Sequence, residues 1–273
     1  MIENKVVLIT GASSGIGYQT AELLANLNYH VYGAARHVSK MEDLKKIGVK
    51  PLKMDLTDEL SIIEAIAEII EIEGHIDYLV NNAGYGSYGA IENVSINEAK
   101  KQFDTNLFGL ARLVQLVLPY MRDKHFGRII NISSMAGRMT TYMGAWYHAT
   151  KYALEGFSDA LRMEVKPFGI DVILIEPGGI KTDWGIIAAE NLRKTSVNTP
   201  YEKHALEASK RMHNLYSSDK LSDPKLIALT IVKAITVTTP KARYLLGYGA
   251  KMLVFLHTML PTRLFDKLIQ KLV

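Results

Sequence analysis

The feature that most narrows the fold is an alternation. Short β-branched runs ending in small or polar residues are separated by stretches with apolar residues at helical spacing. Lys5 to Thr10 (KVVLIT), His30 to Ala35 (HVYGAA), Pro51 to Met54 (PLKM), Ile76 to Val80, Arg128 to Ser133 (RIINIS) and Ile170 to Ile175 read as strands. Between them lie helical stretches: Tyr18 to Asn28, Leu60 to Glu73, a long one to about Lys124 opened by the capping box Ser95-x-x-Glu98, and Trp146 to Val165. Strands that follow helices in this way pair in parallel, so the repetition implies one doubly wound α/β sheet with helices on both faces. A helix from Asp223-Pro224 to about Thr238 and a seventh strand, Ala242 to Leu246, complete an expected seven-stranded, mostly parallel Rossmann domain over residues 1–247. The 273 residues, 48% of them hydrophobic, suffice for that core, and no Pro/Gly/Ser-rich linker divides them.

Ligands of such a sheet gather at the carboxyl ends of the strands, so the turns there carry the functional reading. The first is GASSGIG. Gly11, Gly15 and Gly17 remove side chains where a diphosphate would approach the helix amino terminus, with Ser13, Ser14 and Ile16 in the same turn. The spacing G-x-x-x-G-x-G departs from the dinucleotide fingerprint G-x-G-x-x-G but keeps its mechanics; an ordinary strand-to-helix turn is the plainer alternative. The second strand ends at Arg36, where a dinucleotide's adenosine ribose would lie. An acid there would bind a free diol, whereas arginine offers a planar fork to a 2′-phosphate and favours NADP(H) over NAD(H); a surface arginine is the alternative. Asp55 either accepts a hydrogen bond from the adenine amino group or caps the next turn. Asn82, Ala83 and Gly84, after the fourth strand, and Pro177 and Gly178, after the sixth, fall on the same sheet edge.

The fifth strand delivers Ser134, which could donate a hydrogen bond to a substrate oxygen, and the helix that follows sets Tyr147 and Lys151 one turn apart. A phenol titrates near pH 10, so moving a proton with it calls for a neighbouring cation, and Lys151 is that cation. Taken alone, the pair would read as a solvated tyrosine beside a surface lysine. Asn106 falls inside the long helix, where asparagine is a mediocre helix former. A side-chain amide bridging helix backbone and an ordered water would explain it; a solvated asparagine is the alternative.

The chain has no cysteine, which removes disulfides, thiolate metal sites and cysteine nucleophiles and suits a reducing cytoplasm. Net charge is +4 with bases dispersed among acids, an argument against a nucleic-acid partner. The amino terminus, MIENKVVLIT, lacks the parts of a secretion signal, and no apolar run reaches the length of a membrane span.

In this order, GASSGIG, NNAG at 81 to 84, Asn106, Ser134, Tyr147 with Lys151, and PGG at 177 to 179 resemble the short-chain dehydrogenase/reductase family, over nearly the whole chain to about Gly247. The resemblance implies that Tyr147 is the acid/base and that Ser134 holds the substrate oxygen, Ser134 rather than Ser133 because the family's serine lies thirteen positions before its tyrosine. It implies that Lys151 binds the nicotinamide ribose and lowers the tyrosine pKa, that Asn106 supports a water chain to that lysine, that Ile180 and Thr182 hold the carboxamide, and that Arg36 selects NADP(H). The implied reaction is direct hydride transfer to or from a carbonyl carbon, needing no metal, in a homodimer or homotetramer.

Residues 178–222 form a long insertion with Trp184, Ile186, Ile187 and a helix from Tyr201 to Ser217, where the family builds its substrate lid. With Tyr85, Tyr88, Met143 and Trp146 it suggests a lipophilic pocket, and NNAGYGSYGAIE is similar to the hydroxysteroid, retinol and acyl-dihydroxyacetone-phosphate branch. The expected activity is that of an NADP(H)-dependent oxidoreductase on a lipophilic carbonyl or secondary alcohol. A 3-oxoacyl thioester is the alternative substrate, and a catalytically silent NADPH-binding sensor or scaffold the alternative class. The extension 248–273 has an apolar run, Met252 to Leu260. After it, Thr262 to Val273 sets Leu264, Phe265, Leu268, Ile269 and Leu272 against Arg263, Lys267 and Lys271. Packing on the domain or a second subunit is the first reading and a membrane-surface anchor the second, for a protein placed in the cytoplasm.

Overall fold

The computed structural model describes residues 5–272, so the readings that extend to Met1–Asn4 and to Val273 lie outside the described residues. The first half runs β1 (Val6–Thr10), α1 (Gly15–Asn26), β2 (His30–Ala35), α2 (Glu42–Lys46), β3 (Lys50–Lys53), α3 (Glu59–Glu73) and β4 (Tyr78–Asn81). The second runs α4 (Ile96–Phe103), α5 (Gly109–Asp123), β5 (Gly127–Ile132), α6 (Ala145–Val165), β6 (Ile170–Pro177), α7 (Asp183–Thr195), α8 (Glu202–Tyr216), α9 (Pro224–Thr236), β7 (Arg243–Leu246), α10 (Ala250–Met259) and α11 (Thr262–Leu272). The strands lie in the order β3-β2-β1-β4-β5-β6-β7, and every pairing is parallel, where the sequence suggested mostly parallel. The order reverses between β1 and β4, which opens a crevice at their carboxyl ends.

Alternation along β1 divides the core. Val6 and Leu8 join Ile66 of α3, Leu113 of α5 and Leu154 of α6 on one face, and Val7 and Ile9 join Leu24 of α1 and Ile231 of α9 on the other. Both faces are covered, so β1, β4 and β5 are buried at every residue, as parallel strands between helix layers must be.

Three departures from the sequence reading concern the site. Helix α1 begins at Gly15 rather than Tyr18, which puts Gly17 in its first turn, where a Cβ would collide with the carbonyl oxygen of Gly11. The long helix from Ser95 is not uniform, because α4 and α5 are joined by one π-helical turn, Asp104–Phe108, that carries Asn106. Such turns admit an extra residue and cluster at functional sites. Residues 178–222 hold two helices, α7 and α8, where one was expected; α7 follows directly on Thr182 and buries Ala188, Ala189 and Leu192 with Ala205, Ala208 and Met212 of α8. On α11, Phe265 and Ile269 are buried with Val254 of α10 and with Met139, so much of its apolar face rests on the protein itself.

Candidate active site

The glycine turn and the NNAG turn are one unit. Thr10, the last residue of β1, accepts at Oγ1 from the backbone N–H groups of Asn82 and Ala83, both at 3.0 Å. Asn82 Nδ2 donates back to the carbonyl oxygens of Thr10 (3.0 Å) and Gly11 (3.3 Å). Gly11 (φ 68°) and Gly15 (φ 54°) take left-handed conformations, and a Cβ on Gly11 would come within 2.9 Å of Ala83 Cα. Ser13 is half-buried and Ser14 exposed at the start of α1, where Ser14 makes no side-chain capping bond, and Ile16 accepts from Thr20 Oγ1 at its carbonyl. Thr182 faces the turn, its Cγ2 at 3.4 Å from where a Cβ on Gly15 would lie. Ile180 is buried and bridges to Ser222, while Gly178 N donates to Leu246 O at 2.8 Å. This cradle, which side chains would fill, and the free N–H groups that open α1 fit the diphosphate of a dinucleotide.

Arg36 is exposed at the end of β2, and its charge reaches Asp55. Partial burial would raise the Asp55 carboxyl, but hydrogen bonds from Thr57 and the charges of Arg36 and Lys101 hold it below its ordinary value. Asp55 Oδ1 accepts from Thr57 N (2.9 Å) and Thr57 Oγ1 (2.8 Å), which is the turn-capping arrangement.

Across the crevice, β5 carries the chain to Ser134. Its Oγ accepts from Ala136 N (3.1 Å) and donates to Pro177 O (3.3 Å) at the end of β6. Tyr147 is buried in the first turn of α6, its ring centroid 5.9 Å from that of Tyr88 and 4.9 Å from that of Trp184 on α7. Tyr216 of α8 stands 6.2 Å beyond Trp184, centroid to centroid. Burial drives the Tyr147 phenol well above its ordinary value, nearby Tyr88 adds to this, and a hydrogen bond with Ser134 opposes it.

Lys151 does not offset that burial. Its Nζ donates to Ile132 O at 2.8 Å and lies 5.9 Å from the Tyr147 ring centroid. Burial lowers its own pKa to about 8, against the opposing charge of Glu155. Desolvation acts on both groups, and the lysine's donor is aimed at a backbone carbonyl.

Asn106 is held by protein groups. Its Nδ2 donates to Tyr85 O (2.9 Å) and Thr150 Oγ1 (3.1 Å), and its Oδ1 accepts from Tyr85 N (3.1 Å). Thr150 Oγ1 donates in turn to Tyr147 O at 2.8 Å. The amide thus ties the NNAG loop to α6 through protein groups, and the π-helical turn carries it inward to do so. Replacing Asn106 with leucine leaves Tyr85 N and Tyr85 O without their side-chain partner and removes the donor to Thr150 Oγ1, which keeps its bond to Tyr147 O. The expected cost is about 3 kcal/mol, read as a fall in Tm of roughly 6–12 °C in a thermal melt. A fall below about 2 °C would show that the tie is not structural.

Residues not singled out from the sequence complete the site. His148 is buried, and burial keeps its imidazole neutral. Its Nε2 accepts from Thr141 N (2.9 Å), so Nδ1 carries the proton toward Ala136 O (3.0 Å), bracing the loop between Ser134 and Tyr147. One turn beyond Lys151, Glu155 Oε2 meets Arg243 Nε at 3.1 Å. The same nitrogen lies 3.1 Å from Glu176 Oε1, and Arg138 Nη1 meets that oxygen at 3.2 Å. The sequence signal for His148 and Glu155 was polarity on a helix that packs on the sheet, and for Glu176 and Arg243 a charge within a strand.

The family description "short chain dehydrogenase" matches residues 5–192. A probable short-chain type dehydrogenase/reductase of Helicobacter pylori is 40% identical over 98% of this chain and 97% of its own. A 3-ketodihydrosphingosine reductase of Bacteroides thetaiotaomicron is 37% identical over 90% of this chain and 89% of its own. The crystal structure of a short-chain dehydrogenase from Streptomyces avermitilis superposes with a TM-score of 0.80 at 31% identity, covering 93% of each chain. The chain belongs to the short-chain dehydrogenase family. It is an oxidoreductase of the class that works with a nicotinamide cofactor on small molecules.

Proposed function

We propose that the protein is an NADP(H)-dependent reductase of lipophilic ketones or aldehydes, with Tyr147 as proton donor and Ser134 as the group that orients the carbonyl oxygen. The observation that carries this reading is a buried Tyr147, hydrogen-bonded to a half-buried Ser134, beside an aromatic wall of Tyr88, Trp184 and Tyr216. The turns of Gly11 to Gly17, Asn82 to Gly84 and Pro177 to Thr182 would hold the dinucleotide, and Arg36 would bind a 2′-phosphate. When bound, the cofactor supplies the hydride. The protein's part is to hold the carbonyl oxygen on Ser134 Oγ, deliver the Tyr147 hydroxyl proton to that oxygen, and keep water out with α7 and α8. Lys151, buried one turn away, would bind the nicotinamide ribose, and its charge would then favour the phenolate left behind.

The relative named as a 3-ketodihydrosphingosine reductase supports a long-chain ketone, and the aromatic wall supports an apolar one. The test is loss of nicotinamide absorbance with NADPH and, separately, NADH over a panel of steroid, retinoid, long-chain 3-keto amine and 3-oxoacyl thioester substrates. NADPH-selective turnover of an apolar ketone is expected. Tight NADPH binding with no turnover of any member would instead make the chain a nucleotide-binding sensor. Preference for the thioester would move the substrate class.

A further inference from the structure

The carboxyl-terminal helix pair sends its apolar residues to two sides. Ala250 and Val254 of α10 and Phe265 and Ile269 of α11 are buried, the last two with Met139, five residues after Ser134. That contact takes Phe265 and Ile269 from the stripe that the sequence offered as an anchor and leaves Leu264 and Leu272 exposed. A second stripe is left over on α10: Met252, Phe255 and Met259, at helical spacing opposite the buried pair, are 59%, 61% and 64% exposed. Met252 lines one surface hollow with Tyr248 and Leu226, both exposed, so the apolar strip continues onto α9.

Charge indicates what covers it. Lys251, Arg263, Lys267 and Lys271 are all exposed along the two helices, and Asp266 is the only acid from 248 to 272. A two-fold contact with a second copy places the same patch on both subunits and brings these like charges together. An anionic lipid surface accepts both parts of the pattern, apolar side chains at the acyl boundary and bases at the phosphates. No helix among the described residues is long and apolar enough to cross a membrane, so the geometry suits lying on a surface rather than spanning it. The same helices border the site: Gly179 pairs with Tyr248, and a Cβ on Gly178 would touch Ala250 Cβ at 3.0 Å.

We propose that α10 and α11 dock the protein on an anionic phospholipid surface, with Met252, Phe255 and Met259 inserted and Lys251, Arg263, Lys267 and Lys271 at headgroup level. Docking would set the rim of the Ser134 pocket against the bilayer, from which a lipophilic substrate enters without crossing water; this purpose, though not the binding, rests on the proposed function.

The experiment is flotation of the full chain with phosphatidylcholine vesicles, with and without phosphatidylglycerol. The intact protein is expected to float with the anionic vesicles and to be released by high salt. Phe255→Asp with Met259→Asp should lower partitioning by on the order of a hundredfold, and Lys251→Glu with Lys267→Glu by at least about tenfold. All four positions are exposed, and a thermal melt checks that each variant is folded. The proposal is overturned if intact protein stays at the bottom, floats equally with neutral vesicles, or floats unchanged after either double substitution. It also falls if sedimentation shows that the stripe substitution splits a dimer while vesicles are ignored. Tyr147→Phe should float like the intact chain, so retained turnover in that variant counts against the catalytic reading alone and leaves the docking standing.

Discussion

Replacing Tyr147 with phenylalanine is expected to lower kcat by about a thousandfold, within the range that a positioned proton donor contributes, while NADPH affinity changes by less than about twofold. The substitution keeps the ring, and therefore the contacts with Tyr88 and Trp184, and deletes only the hydroxyl that meets Ser134. Stability should barely move, because no other buried group is left with an empty bond: Ser134 Oγ still has Ala136 N and Pro177 O. Stopped-flow hydride transfer, which separates chemistry from product release, is the measurement, with fluorescence titration of NADPH beside it. Residual turnover within about tenfold of the intact enzyme would mean that the proton reaches the product oxygen by another route and that Tyr147 is only a wall of the pocket.

Arg36→Ala is expected to weaken NADPH by about a hundredfold and to leave NADH within about twofold, since a bidentate arginine–phosphate pair contributes roughly 2–3 kcal/mol. The position suits this: an exposed guanidinium just past the end of β2, with Asp55 within reach of its charge. Arg36→Lys should recover part of the loss and show a steeper salt dependence, because an ammonium replaces a planar fork with a point charge. Isothermal titration with both dinucleotides decides it. Equal losses for NADPH and NADH would show that Arg36 supports the loop and does not read the 2′-phosphate, and the cofactor choice would then lie elsewhere.

What the sequence determined by itself was whatever local pattern encodes. Alternating β-branched runs and helical spacings specify strands with two covered faces, and the small residues at strand ends, GASSGIG and NNAG, mark the edge where such a sheet binds ligands. Tyr147 and Lys151 could be placed on one helix side from their spacing alone. The tertiary structure decided what depends on surroundings. Asn106 looked like a poor helix former because its three partners, Tyr85 N, Tyr85 O and Thr150 Oγ1, lie 21 and 44 residues away and are brought to it by a π-helical turn with no sequence period of its own. The spacing of Tyr147 and Lys151 could be read locally, but the burial of both groups and the carbonyl of Ile132 that accepts from the lysine are set by everything packed around α6. The tail makes the same point: periodicity identified apolar faces on both terminal helices, but Phe265 and Ile269 went under and Met252, Phe255 and Met259 stayed out. Amphipathic spacing states that a helix has a face to bury, and only the packed neighbours determine which face finds a partner within the chain.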